Sequence, residues 1–195
     1  MTHKGLPVRA FDTLADWRQW LSEHGATSPG LWFKFYKKGT EQPTVSKTEA
    51  IEAALAHGWI DGQLDRFDET AWLVRFTPRR PTSKWSEINR KTAERLIASG
   101  DMTAAGLAEV ERAKTDGRWN AAYAPQSKAE VPDDLAGALN ANPKAKVFFE
   151  TLTGANRYAV LYRIQTAKKP DTRKARIAKF VAMLECGKVI HPKKE

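Results

Sequence analysis

The chain has a single cysteine, Cys186, only four histidines, and no apolar stretch approaching a membrane span. One cysteine excludes an internal disulfide and any cysteine-based metal cluster, and it suits a reducing compartment. Apolar runs such as AWLV (71–74) and FVAML (180–184) fall far short of the about 20 residues that a bilayer crossing takes. The opening stretch, MTHKGLPVRAFDTLADW, meets charge within a few residues and lacks the apolar centre of a secretory leader. The expectation is a cytoplasmic protein with no membrane span.

Catalytic signatures are missing as well. GxxxxGK[ST], GxGxxG, HExxH, GxSxG and CxxC do not occur, which removes the phosphate cradle, zinc site or activated serine that each denotes. His3, His24, His57 and His191 lie far apart, never at the i, i+4 spacing that places two ligands on one helical face. His57 precedes Gly58 at a helix end, where a cation complements the helix dipole. The acids Asp61, Asp65, Asp68 and Glu69 do not have calcium-loop spacing. On a regular strand Asp61 and Asp65 would share a face about 13 Å apart, too far to hold one ion. No metal, cofactor or catalytic residue is therefore expected.

What is present is enough for a folded protein. Of 195 residues, 42% are hydrophobic and 28% charged, with seven Trp, four Tyr and eight Phe to fill a core. The net charge of +9 is uneven. Residues 157–195 hold 11 basic and three acidic side chains, or +8, leaving +1 for the first 156. Any polyanionic partner is sought first at this basic end.

Local signals predict α+β: a small antiparallel sheet of about three strands packed with helices, then an all-helical C-terminal region. Thr13 with Asp16 and Ser46 with Glu49 form capping boxes opening two helices, ended by Gly25 and Gly58. LWFKFYKK (31–38) reads as a strand, and 59–67 with 71–77 as a hairpin. Pro78-Arg-Arg-Pro81 must be a loop. Ser83 is expected to cap a helix carrying Trp85, Ile88 and Leu96, Thr103 the next, and Asp171 the last. The proline-bearing stretch 124–132 is the linker between an N-terminal domain, 1–123, and a basic helical domain, 132–190.

One constellation combines rings with strong polar groups. If the hairpin pairs as drawn, Asp61 in Gly58-Trp-Ile-Asp-Gly62 lies near Arg79 and Arg80, whose forks suit carboxylates and phosphates. The start of the Ser83 helix adds a field favouring an anion. Trp59 and Trp85 would wall the site, with Ser83 and Asn89 beside it. The same residues also suit an Asp–Arg network with core tryptophans, and they leave open an enzyme of unrecognised type using Asp61 with either arginine. A separate reading gives nucleic-acid binding to Arg173, Arg176 and Lys179, spaced along one face of the last helix.

Several segments carry a family resemblance: Trp17-Arg-Gln-Trp-Leu21, LWFKFYKK, GWIDG (58–62), FTPRRPTSKWSEIN (76–89), Ser99-Gly-Asp-Met-Thr103 with Gly106, Gly117-Arg-Trp119, and Pro132-Asp-Asp-Leu135 through Ile177. The chain resembles the YdeI/OmpD-associated (OmdA, bacteriocin-protection) family of bacterial proteins. That resemblance implies a non-enzymatic protein of stress or bacteriocin protection, and the constellation around Asp61, Arg79, Arg80 and Asn89 suggests that it binds a small anionic ligand or a protein partner. It supplies no catalytic residues.

Overall fold

The structure, a computed structural model, describes residues 1–125, 130–167 and 169–192. The expected linker positions 126–129 and the basic residues Lys168, Lys193 and Lys194 lie outside these. The chain divides into two compact units, Met1–Ala122 and Tyr123–Glu195.

The first unit is built on a five-stranded sheet in the order β1-β2-β3-β5-β4. Its strands are β1 (Thr2–His3), β2 (Leu6–Arg9), β3 (Leu31–Tyr36), β4 (Trp59–Arg66) and β5 (Ala71–Pro78). About three antiparallel strands were expected; there are five, and the sheet is mixed because β2 runs parallel to β3. The two additional strands are short, with two and four residues. They are joined by Lys4 (φ 46°) and Gly5 (φ 80°), a positive-φ pair of the kind that closes a two-residue hairpin. Lys-Gly carries a weaker turn signal than Asn-Gly, and two residues cannot show alternation.

Register explains the core. Leu31, Phe33 and Phe35 stand opposite Phe76, Val74 and Trp72, giving one aromatic face. On it pack α1 (Leu14–His24) and α2 (Lys47–Ala56) through Trp17, Trp20, Leu21, Ala50 and Ala54. Thr13 and Ser46 cap these helices in complete capping boxes, as their sequences predict. Gly25 ends α1 in right-handed rather than left-handed geometry, at φ −60°. Two of the buried indoles find partners: Trp17 Nε1 donates to the Ala50 carbonyl at 3.0 Å, and Trp59 Nε1 to the Gly25 carbonyl at 3.0 Å.

The opposite face is closed by the edges of the sheet. A bulge between Asp61 and Leu64 places two residues of β4, Gly62 and Gln63, against one of β5, Arg75. Asp61 stands opposite Phe76, on the helix-packed face, whereas Asp65 stands opposite Leu73, on the other. The regular-strand expectation that the two acids share a face is thereby corrected: one extra residue reverses the side. Asp65 accepts from His3 Nε2 at 2.9 Å and from Lys4 Nζ at 2.6 Å. Opposite edges of the sheet are thus joined over Trp32, against which the His3 ring packs edge-on at 4.8 Å.

Two further helices complete this unit: α3 (Glu87–Ala98) and α4 (Ala104–Thr115). The Ala56 carbonyl at the end of α2 accepts from both the backbone N–H of Thr103 (3.1 Å) and its hydroxyl (2.7 Å). This fixes the start of α4 against α2. Gly106 makes the approach possible, since a Cβ there would sit 2.3 Å from the Ala56 oxygen and 2.4 Å from Met102 Sδ. The second unit contains α5 (Asp133–Asn140), α6 (Pro143–Thr151), α7 (Gly154–Gln165) and α8 (Pro170–Glu185) around Leu135, Phe149, Val160, Ile164, Ile177, Phe180 and Leu184. Lys169, not Asp171, occupies the N-cap of α8, and Asp171 lies in its first turn. No helix among the described residues is long and apolar enough to cross a membrane.

Two outcomes test this account. Hydrogen bonds from Lys4 and His3 hold the Asp65 carboxyl down at about 2, from an ordinary 3.8. Its stabilisation is therefore complete above the ordinary value and disappears as pH falls through the folded one. Asp65→Asn is expected to lower the Tm at neutral pH and to flatten the acid loss between about pH 4 and pH 2; identical acid slopes in chemical denaturation would refute the clamp. Gly106→Ala is expected to destabilise by about 1–3 kcal/mol through overpacking, read from the denaturation midpoint at constant m-value.

Candidate functional site

Pairing of β4 with β5 does bring the two sequence segments together. Trp59 stands opposite Pro78, and the Arg79 N–H donates to the Gly58 carbonyl at 3.0 Å. Beyond Pro78 the chain leaves the sheet in a tight loop. The Ser83 N–H donates back to the Arg80 carbonyl at 2.9 Å, with Pro81 at the first corner. The Ser83 hydroxyl accepts from the Arg80 N–H at 3.0 Å. Ser83 therefore closes the loop and does not cap the helix. That cap is Ser86, whose hydroxyl accepts from Asn89 N at 3.1 Å. Trp85 precedes α3 and Asn89 lies in its first turn, so the interval between them is not one helical turn. Ile88, expected on the apolar side, is 57% exposed.

Arg79 is 5% exposed. Its guanidinium lies over the Trp85 ring, 3.8 Å from the centroid, and Nη1 donates to the Lys84 carbonyl at 3.4 Å. Stacking of a planar cation on a desolvated indole is worth about 2 kcal/mol. Trp85 in turn meets Trp119 edge-on at 4.9 Å, in a cluster with Leu96, Met102 and Val110. Arg118 reaches the loop from beyond α4, donating to the Ser83 carbonyl at 2.8 Å while its Nε bonds Asp116 at 2.7–2.8 Å. This holds the Asp116 carboxyl below its ordinary range. Arg90 donates to the Trp119 carbonyl at 3.4 Å. Arg79 and Arg118 thus fasten a loop on which Arg80 and Lys84 are exposed, and Arg90 ties α3 to the Trp119 that packs on Trp85.

The remaining predicted members are placed elsewhere or at the margin. Trp59 belongs to the aromatic core, edge-on to Trp20 at 5.6 Å, whereas Trp85 belongs to the second cluster. The two indoles do not form facing walls. Asp61 is half-buried on β4 two pairs in from the loop, opposite Phe76. The ion pairs made by aspartates of the first unit run through Asp65, Asp68 and Asp116. Among the described residues no group of His, Cys, Asp and Glu could hold a metal ion. Sequence reading gave Arg118, Arg90 and Trp119 no place at this loop: Arg118 and Trp119 arrive from more than 30 positions beyond it, and Arg90, though close by in α3, has its carbonyl partner at Trp119.

In the second unit, Arg173 forms a fork with Asp134, Nη2 donating at 2.8 Å, and its Nη1 donates to the Ile164 carbonyl at 3.0 Å. Asp134 is held below its ordinary range by that guanidinium. Arg176 donates to the Arg163 carbonyl. Both arginines therefore satisfy carbonyls at the end of α7, while Lys179 is exposed.

Stability reports on the loop. Trp85→Ala is expected to cost about 3–5 kcal/mol. Arg79→Lys retains charge but loses the planar stack, so the unfolding free energy from urea denaturation is expected to fall by about 1 kcal/mol. A neutral Arg79→Lys would show that the stack does not hold the loop.

Two family descriptions match the chain. Residues 9–109 match a domain of unknown function, DUF8412, and residues 128–187 match OmdA, described as Bacteriocin-protection, YdeI or OmpD-Associated. No curated protein and no solved structure matches significantly. The first match spans β3, β4 and β5, the helices α1 and α2 that cover them, and the loop 79–86 with α3, and the second spans α5 to α8. With just over half its length in the first match, the chain belongs to the DUF8412 family, and it carries in its C-terminal part the OmdA segment of the YdeI/OmpD-associated proteins.

Proposed function

We propose that this chain is a non-enzymatic binding protein of the bacteriocin- and stress-protection class, engaging a small anionic ligand or an acidic segment of a protein partner. The contact surface is the loop 79–86 with the first turn of α3. The observation that carries this reading is the burial of Arg79 on Trp85 beneath an exposed Arg80. A loop fastened at Arg79, Ser83 and Lys84 presents Arg80 without a large ordering cost on binding, and preorganised cations bind anions better than mobile ones. The positive end of α3 adds to the same field. Asp61 and Asn89 lie at the margin and set the limits of the anion's approach. The supporting family term is protection, not catalysis. Nucleic-acid binding through Arg173, Arg176 and Lys179 fits less well, because two of those three side chains already hold α7 and α5.

Thermal unfolding of the full chain with inorganic phosphate, citrate and a short oligoglutamate tests this. At least one anion is expected to raise the Tm of the wild type in a saturable manner. Arg80→Ala, whose side chain is exposed, is expected to fold normally and to lose that response by about tenfold in ligand concentration. An unresponsive wild type, or an unchanged response in Arg80→Ala, would overturn the proposal.

A further inference from the structure

Charge on α7 and α8 is distributed unevenly. Between Gly154 and Gln165 there is no acidic residue, and α8 keeps its two acids, Asp171 and Glu185, at its ends. Between these helices and the segment after α8 lies a hollow of about 430 Å³, lined by Arg163, Arg176, Lys179, Phe180, Met183 and Ile190. Its volume falls within the about 300–1,000 Å³ of small-molecule sites. Three of six lining residues are cations and none is an acid. The other three are apolar, with Phe180 buried and packed into the core of this unit.

The two arginines are held in place. Arg163 Nη1 donates to the Ala159 carbonyl at 3.2 Å, and Arg176 Nη1 donates to the Arg163 carbonyl. Each fork is oriented by one N–H and keeps its remaining donors. Among the described residues, no carboxylate forms an ion pair with Arg163, Arg176 or Lys179. Like charges brought together beside an apolar floor raise one another's energy, and a single anionic group relieves all three at once. A polymer of phosphates calls for a track of cations with exposed rings. Here the ring is buried, and the neighbouring Arg173 is engaged by Asp134.

We propose that this hollow binds a small organic monoanion with an apolar body, a ring-bearing or short-chain carboxylate. Arg163, Arg176 and Lys179 take the carboxylate, and Phe180, Met183 and Ile190 take the body. This site is independent of the Arg80 loop.

The test is fluorescence titration of the full chain with anilinonaphthalene sulfonate, followed by displacement with phenylbutyrate, its neutral amide, inorganic phosphate and an oligonucleotide. One saturable dye site is expected, displaced by phenylbutyrate at a concentration about tenfold lower than by the amide. Lys179→Glu is expected to weaken dye and phenylbutyrate about tenfold with unchanged Tm. Lys179→Gln is expected to fall between, and Arg80→Ala to bind as wild type. No saturable site, equal displacement by acid and amide, or unchanged binding by Lys179→Glu would overturn the proposal. Phosphate or oligonucleotide displacing as well as phenylbutyrate would replace it with a general cationic surface. Loss of binding in Arg80→Ala would move the dye to the other site and equally refute it.

Discussion

The pairing of β4 with β5, and the one extra residue inside it, constrains most of the first unit. At its open end, the Arg79–Gly58 backbone bond sets where the chain leaves the sheet and hence where Arg79 meets Trp85. Two pairs inward, Asp61 still follows the face of Phe76. After the bulge the alternation is reversed, and Asp65 emerges on the face that the β1–β2 hairpin covers. A regular strand would have put Asp65 on the aromatic face, against buried rings, and left His3 and Lys4 without their carboxylate. A single insertion therefore decides both which acid stays near the loop and which acid joins the sheet's edges.

How much of this was legible follows from the range over which each signal acts. Thr13 with Asp16 and Ser46 with Glu49 are contacts three residues apart, and both capping boxes form as their sequences predict. The hairpin 59–78 announces itself through alternation and the Asp68-Glu-Thr turn. The bulge is marked in sequence only by Gly62, a glycine inside a strand, and the shift in register shows only when β5 is laid beside it. The loop departs from its local signal for a related reason. Ser83 and Ser86 are both acceptable caps in isolation, and Ser83 is diverted because its hydroxyl closes the Arg80 turn. Trp59 and Trp85 were joined by residue type, yet the fold assigns one to each of two cores.

The two adjacent arginines show how one motif divides its labour. Arg79 is buried, stacked and directed at a carbonyl; Arg80, one residue on, is exposed at a corner fixed by Pro81 and Ser83. Alternation along extended backbone sends neighbouring side chains to opposite sides, so a pair of arginines leaving a strand yields one internal and one external cation. The internal one is stabilised by the indole face, and Arg118 adds a second fastening from a distant turn. Rigidity and presentation thus come from the same short sequence.

The positive charge of the C-terminal fifth resolves, residue by residue, into different duties. Arg157 lies over the Phe149 ring at 4.6 Å, and Arg173 bonds Asp134 and the end of α7. Arg176 serves that same helix end and also lines the hollow with Arg163 and Lys179. Carbonyls at a helix C-terminus carry partial negative charge and lack intrahelical donors, so arginines from a neighbouring helix are a physical answer to a helix ending without a side-chain cap. An excess of basic residues in a small helical unit therefore needs no polyanion to explain it. What helix ends do not explain is a hollow with three cations, an apolar floor and no acid, for a structural role would favour a carboxylate among them to relieve their repulsion.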